Sequence, residues 1–233
     1  MQTSTLNPMQ TPSRLHILGT DQLGRDILSR LLYGTQHTLF VALLSTSVAV
    51  IPGLLLGVSA GMAKGWVDRF ITILVNALLA FPSLIFALVI LSLLGQGSWQ
   101  LALATGGAQI ALYARITRSA TLSIINFGFI ESAQAIGVSK TRLMLRYILP
   151  NAQPTLIGYG GLVFSYSMIN SAALSFLGLG GEPGLPDWGV MLAEGREAFR
   201  IAPWVSLAPG LAITLTVWAV HTLVDRLIQP TSL

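Results

Sequence analysis

The sequence predicts an all-α integral membrane protein with five membrane-spanning helices, and three observations support this fold class. Hydrophobic residues make up 53% of the 233 residues and charged residues only 9%, against about 25% charged in soluble domains. The mean hydropathy is +0.70. Four long segments contain no charged residue at all. So few charges cannot cover a soluble globule, which argues strongly against a soluble enzyme.

A helix that crosses the bilayer needs about 20 mostly apolar residues. Four segments satisfy this length, and a fifth, 99–114, is short and partly polar but ends sharply at Arg115. The predicted spans are 38–60, 70–94, 99–114, 154–178 and 204–224. They define a polar N-terminal segment (1–37), a transmembrane domain (38–228) with its longest loop at 115–153, and a C-terminal tail (229–233).

The distribution of basic residues predicts the orientation, because cytoplasmic loops carry an excess of Lys and Arg. The loops 61–69 and 115–153 and the C-terminus hold eight basic and three acidic residues, a net charge of +5. The loops 1–37, 95–98 and 179–203 hold five basic and six acidic residues, a net charge of −1. The first set is therefore predicted to be cytoplasmic.

Several classes of site are excluded or disfavoured by composition. There are no cysteines, which rules out disulfides and cysteine-based metal centres. The three histidines, His16, His37 and His221, are far apart in sequence, so we predict no metal or cofactor site in this chain. The net charge of +4 is explained by basic loops beside a membrane and does not require a nucleic-acid partner.

The 115–153 loop has the pattern of two short helices joined by a turn. The pattern of residues 129–137 predicts a first helix, and Gly137 is expected to end it by adopting a left-handed conformation. Ser139 is placed to cap a second helix at 140–147, which Leu149-Pro150 is expected to close. From the residues alone, two uses stay open: basic side chains that bind lipid phosphates, or a helix pair that docks into a soluble partner.

The same loop resembles the "EAA" loop of binding-protein-dependent ABC importer permeases. The residues that carry the resemblance are Glu131, Ser132, Ala133, Gly137, Leu149 and Pro150. The sequence departs from the pattern at Ser132, which replaces the middle alanine, and at Tyr147, which replaces an aliphatic residue.

Further motifs are similar to those of the dipeptide/oligopeptide/nickel permease subfamily and occur in the family's order. They are Leu18-Gly19-Thr20-Asp21-Gln22-Leu23-Gly24-Arg25-Asp26, Ala80-Phe81-Pro82, Tyr113-Ala114-Arg115, Ser175-Phe176-Leu177-Gly178-Leu179-Gly180, Asp187-Trp188-Gly189 and Met191-Leu192. Together they cover residues 17–228.

This resemblance implies a multi-pass permease of the bacterial inner membrane that works by alternating access. The implied partners are a second homologous permease, two cytoplasmic ATPases that bind ATP and magnesium, and an extracytoplasmic substrate-binding protein facing the loop 179–203. The six loop residues are implied to contact the ATPase. The implied cargo is a peptide or a nickel or other metal complex. The family usually has a sixth helix before the motif at residue 18, so we expect either an upstream span or a shortened homologue.

Three other mechanisms are weighed against this one. Residues 137–141 lack the glycine that a phosphate loop needs directly before its lysine, because Ser139 occupies that place. An ion-coupled transporter is disfavoured because the predicted spans contain no Asp, Glu, Lys or Arg, and His221 and Asp225 lie at the predicted cytoplasmic end of the last span. An intramembrane serine hydrolase would need Ser165, Ser167, Ser171 or Ser175 beside His221 as its base, and is the weakest alternative.

Overall fold

A computed structural model describes residues 8–63, 65–180 and 184–228 and shows an all-helical chain. Within these residues the sole β-type pairing is one isolated bridge between Thr20 and Asp26. The helices are α1 (Ile27–Met62), α2 (Trp66–Leu79), α3 (Ser83–Leu94), α4 (Ser98–Ile125), α5 (Gly128–Ala135), α6 (Lys140–Leu143), α7 (Leu149–Leu174), α8 (Trp188–Ala198) and α9 (Trp204–Ile228). Two π-helical turns, Met144–Ile148 and Ser175–Leu179, precede and follow α7. The predicted C-terminal tail and Glu182 of the 179–203 loop lie outside the described residues.

Two helices extend well beyond the predicted spans. The first begins at Ile27 instead of residue 38, and its N-cap Asp26 accepts a hydrogen bond from the Ser29 amide at 2.8 Å. The fourth helix passes Arg115 and ends at Ile125, so its last turns lie within the segment 115–153, and the bounds of that loop stay a prediction. Hydropathy marks where apolar side chains stop, whereas a helix continues until its backbone hydrogen bonding is interrupted.

The predicted span 70–94 is made of two helices. Helices α2 and α3 meet at 89° around Ala80-Phe81-Pro82. Pro82 has no N–H to donate to a preceding carbonyl, and the residue before a proline avoids helical geometry. By length and composition, three helices of the described chain can cross a membrane, namely 27–62, 140–179 and 204–228, or four if the bent pair is one span. Helix α4 is not among them, and the count of five spans stays a prediction.

The predicted helix end at Leu149-Pro150 is wrong. The helix continues from Lys140 through the π-helical turn into α7. Pro150 lies in the first turn of α7, and its missing N–H is accommodated by the wider π turn before it. The Asn151 side chain donates to the Tyr147 carbonyl oxygen at 2.6 Å, which satisfies a backbone acceptor near the irregularity.

The centre of the bundle is the close pairing of α1 with α4. Glycines recur at every fourth residue of α1, at Gly53, Gly57 and Gly61, and each lies against α4. Small residues at this spacing let membrane helices approach until their backbones touch. Further along the pair, the Ser45 and Thr105 hydroxyl groups are 2.8 Å apart and both are buried.

The loops that the sequence separates by charge lie at opposite ends of this pair. At one end, here called the His37 end, the His37 side chain contacts Ser98 at the start of α4, with the ring Nε2 and the hydroxyl oxygen 2.8 Å apart. At the other, the Glu131 end, α1 ends beside Thr121 and α4 leads into the loop that holds Glu131. Helix α1 has 36 residues, about 54 Å at 1.5 Å per residue, which is long enough to separate the two ends by a bilayer.

Candidate functional site

The predicted helix pair forms a compact knob, defined here as residues 126–148, at the Glu131 end. Its first helix, α5, follows α4 after two residues. The Ile130 and Ala133 side chains are 0% and 4% exposed and pack in one apolar cluster with Ile124, Leu143 and Ile148. The knob is therefore fixed to the bundle by its own core and is not a free loop.

The turn inside the knob has the geometry that the sequence predicts. Gly137 has φ of +83°, a left-handed conformation that residues with a Cβ resist. The Val138 amide donates to the Ala133 carbonyl oxygen at 3.1 Å and thereby closes the end of α5. Ser139 caps α6 by accepting a hydrogen bond from the Arg142 amide at 3.4 Å.

The outer surface of the knob is apolar and aromatic as well as basic. Phe127 and Phe129 are exposed and stack with their ring centroids 5.8 Å apart. Ile136 is 81% exposed. It follows the last residue of α5 and does not share the packed side of Ile130 and Ala133. The knob also exposes four charged side chains: Glu131, Lys140, Arg142 and Arg146.

The six predicted contact residues fall into three groups. Glu131, Ser132 and Gly137 are exposed on the knob. Ala133 is buried beneath them, so it positions the helix and does not present a surface. Leu149 and Pro150 line a groove of about 590 Å³ between α1, α4 and α7, away from the knob surface.

The His37 end carries an ion network that sequence reasoning missed. Arg30 donates to Asp21 at 2.8 Å and also to Glu194 of α8. Arg25 donates to the same two carboxylates, at 2.6 Å to Asp21 and 2.9 Å to Glu194. The Asp21 and Arg30 side chains are only 2% and 5% exposed. The network therefore joins the segment before α1 to α8.

Asp187 makes a second connection at the same end. Its carboxylate caps α8 by accepting from the Gly189 and Val190 amides at 2.8 and 3.2 Å, and it lies 3.3 Å from the His37 ring. Burial opposes its ionisation, but the hydrogen bonds with His37 and the two amides, together with the electrostatic effect of His37, hold the Asp187 pKa below its ordinary value. Asp187 is thus an ionised acceptor shared by α1 and α8.

One pair of residues bears on the hydrolase alternative. The Ser165 hydroxyl lies 3.3 Å from Nε2 of His221. The same hydroxyl donates to the Gly161 carbonyl oxygen at 3.0 Å. A hydroxyl has one hydrogen to donate, so in this arrangement Ser165 accepts from the His221 ring. An activated serine would instead donate to the ring, and the pair has the geometry of a helix–helix hydrogen bond.

An all-helical bundle whose long apolar helices can cross a membrane by length and composition defines the class of multi-pass membrane proteins. Residues 53–229 match the family described as "Binding-protein-dependent transport system inner membrane component". The chain belongs to this family. It is a multi-pass inner-membrane permease subunit of an ABC importer, and ATP is hydrolysed by a separate subunit.

Curated relatives support the same assignment. The glutathione transport system permease protein GsiD of Pectobacterium atrosepticum is 39% identical over 216 residues, which is 93% of this chain and 72% of the relative. The di/tripeptide transport system permease protein DppC of Pseudomonas aeruginosa is 39% identical over 211 residues, 91% of this chain and 70% of the relative. The dipeptide permease protein DppC of Alkalihalophilus pseudofirmus is 35% identical over 226 residues, 97% and 74% of the two chains.

Solved structures show the same fold at lower identity. A chain of the MetNI methionine ABC transporter, in an inward-facing conformation, superposes with a TM-score of 0.74 at 20% identity and covers 87% of this chain and 96% of its own. A chain of an amino acid ABC transporter crystallised with histidines superposes with a TM-score of 0.64 at 16% identity, covering 86% and 94%. At such identities the likeness concerns the fold alone.

Proposed function

We propose that this permease moves small peptides inward and that its knob docks onto the cytoplasmic ATPase. The observation that carries the docking is the exposed apolar surface of the knob, which includes Phe127, Phe129 and Ile136. These side chains lie beyond the ends of the apolar helices, where water would surround them. Exposed aromatic and aliphatic patches with a charged rim are typical of protein interaction sites.

The construction of the knob supports a mechanical role. Its core is continuous with the end of α4 through Ile124 and with the start of α7 through Ile148. A push on α5 is therefore transmitted to two long helices at once. Glu131, Ser132 and Gly137 lie on the docking surface in this proposal, and the buried Ala133 packs α5 against the bundle.

The proposed orientation places the Glu131 end in the cytoplasm. The loops gathered at that end carry the net charge of +5 counted above, and the loops at the His37 end carry −1. The His37 end then faces the substrate-binding protein. In the proposed assembly, this chain pairs with a second homologous permease, and each permease receives one ATPase.

The proposed mechanism is alternating access between two arrangements of the permease pair. ATP bound by the partner ATPases favours one arrangement over the other, since a ligand shifts an equilibrium only through a difference in affinity. The knob converts the closing of the ATPases into movement of α4 and α7. This chain supplies the pathway and the partner supplies the free energy.

Docking is tested by placing a charge in the apolar patch and asking whether the ATPase still associates. Ile136→Glu is expected to abolish co-purification of the ATPase from detergent-solubilised membranes. Ile201→Glu is the matched control, because Ile201 is also exposed, at 73%, but lies at the opposite end. Normal co-purification of the Ile136 variant would refute the docking proposal.

The cargo assignment rests on the relatives, whose names specify glutathione and di- or tripeptides. It is tested by titrating the cognate substrate-binding protein with a dipeptide, a tripeptide, glutathione and a nickel complex, followed by uptake of the tightest ligand into vesicles. A peptide is expected to bind most tightly. Selective binding of the nickel complex would replace peptide with metal as the cargo.

A further inference from the structure

A polar seam runs between α2 and α4 near the Glu131 end. On α2, Asp68, Thr72 and Asn76 recur at four-residue spacing and therefore share one helix face. On α4, Arg118 and Arg115 are three residues apart and also share a face. The other exposed residues of α2 are the basic Arg69 and the apolar Trp66, Phe70, Ile73, Leu74 and Ala77.

The level of the seam nearest the helix end is closed by an ion pair. Arg118 binds both carboxylate oxygens of Asp68, at 2.6 and 2.7 Å. Thr72 donates to the same carboxylate at 3.3 Å. The charges of Asp68 and Arg118 therefore compensate each other, and this level needs no ligand.

One helical turn further along α2, no ion pair closes the seam within the described residues. Between the helices lies a cavity of about 180 Å³, whose lining includes Thr72, Asn76, Arg115 and Arg118. Neither the guanidinium of Arg115 nor the amide of Asn76 has a hydrogen-bond or ion-pair partner within the part of the chain that the structure describes. Gly57 and Ala60 line it from α1. The cavity thus presents one uncompensated positive charge and one free amide donor.

We propose that this cavity binds the phosphate group of an anionic phospholipid in the inner leaflet. Arg115 would supply the charge and Asn76 a neutral donor, a combination suited to a phosphate oxygen. Basic pockets between membrane helices on the cytoplasmic side are suited to anionic headgroups. The proposal relies on the orientation given under Proposed function.

The surroundings of the cavity favour a lipid over a passing cargo molecule. Trp66, 78% exposed at the start of α2, has the character of a residue at the membrane–water interface. Phe70, Ile73 and Leu74 are also exposed on α2, so apolar side chains that an acyl chain can contact lie on the same helix as the polar seam.

The proposal is tested on the complete importer purified in detergent and exchanged into nanodiscs that contain equal amounts of phosphatidylglycerol and phosphatidylcholine. Native mass spectrometry counts the lipids retained when the nanodisc is removed. Arg115→Gln is expected to reduce retained phosphatidylglycerol about tenfold, as for the loss of one charge-assisted hydrogen bond. Arg115→Lys is expected to restore most of it, which separates a loss of charge from a loss of folding.

Arg200→Gln is the matched control, because Arg200 is also exposed and basic but lies at the His37 end, away from the cavity. Equal lipid retention by the Arg115→Gln and Arg200→Gln variants would overturn the proposal. Unchanged phosphatidylglycerol retention with a raised KM for peptide uptake would overturn it in favour of a cargo carboxylate. Lipid retention is measured without cargo or ATP, so a failure here leaves the Ile136 docking experiment unaffected.

Discussion

Gly57 of α1 lies directly against the backbone of Ala114 on α4. A Cβ atom at Gly57 would be 2.5 Å from the Ala114 carbonyl oxygen and 2.5 Å from the Thr117 Cβ atom. Both neighbours are buried parts of a helix and cannot swing away as a flexible side chain can. The absence of a side chain at Gly57 therefore sets the distance between the two central helices of the permease.

Replacing Gly57 with alanine is expected to force α1 and α4 apart. Inserting one methyl group into such a contact costs about 1–3 kcal/mol, and thermal unfolding of the purified subunit measures the loss. Gly107→Ala on α4 is the control, since its nearest new neighbour would be 3.8 Å away. Equal melting temperatures for the two variants would contradict the contact.

The left-handed Gly137 gives a second prediction. Any other residue at φ of +83° costs about 1–2 kcal/mol, so Gly137→Ala should loosen the end of α5 and reduce uptake per ATP hydrolysed. Gly128→Ala at the other end of α5 is the control, because it adds a Cβ with nothing within 4 Å at an ordinary φ. Coupling ratios measured in vesicles that fall equally in both variants would show that the left-handed turn is unimportant.

The local parts of the knob could be predicted because their signals are local. Gly137 ends a helix and Ser139 starts one through the hydrogen-bonding capacity of each residue alone. The prediction of a helix end at Leu149-Pro150 also used a local signal, since proline usually interrupts a helix, and here that signal was wrong. The π-helical turn that accommodates Pro150 depends on the packing of Ile148 and Ala152 into the bundle, which no local pattern shows.

The ion network at the His37 end could not be predicted in this way. Arg30 and Glu194 are 164 residues apart in sequence, and no local sequence pattern around either residue indicates that they form an ion pair. The motif at residues 18–26 marked the region only through its resemblance to a family. Its physical content, a compact loop that presents Asp21 to two arginines, required the fold.

His221 provides a prediction that separates the permease from the serine hydrolase alternative. His221→Gln is expected to retain peptide uptake, because it removes at most one hydrogen bond to Ser165, about 0.5–1.5 kcal/mol. A hydrolase that used this histidine as its base would lose nearly all activity. Uptake by the reconstituted importer is the measurement, with Ser165→Ala tested in parallel.

Asp187 gives a prediction about pH at the proposed outer face. Its pKa is held below the ordinary value of 3.8 in the folded protein, so the unfolded chain binds this proton more readily. The ionised carboxylate therefore stabilises the fold above about pH 4, and this contribution is lost as the pH falls through the folded-state pKa. Asp187→Asn keeps an acceptor for the α8 amides but removes the charge beside His37.

The Asp187→Asn variant is accordingly expected to melt below the wild type at neutral pH, and the difference should shrink as the pH is lowered toward about 3. Glu197→Gln is the control, because Glu197 is exposed on the same helix and its replacement should leave the melting temperature unchanged at every pH. Thermal unfolding in buffers across this range gives the comparison. A difference that stayed constant with pH would mean that the charge of Asp187 does not hold α8 to α1, and that its contribution is only the cap.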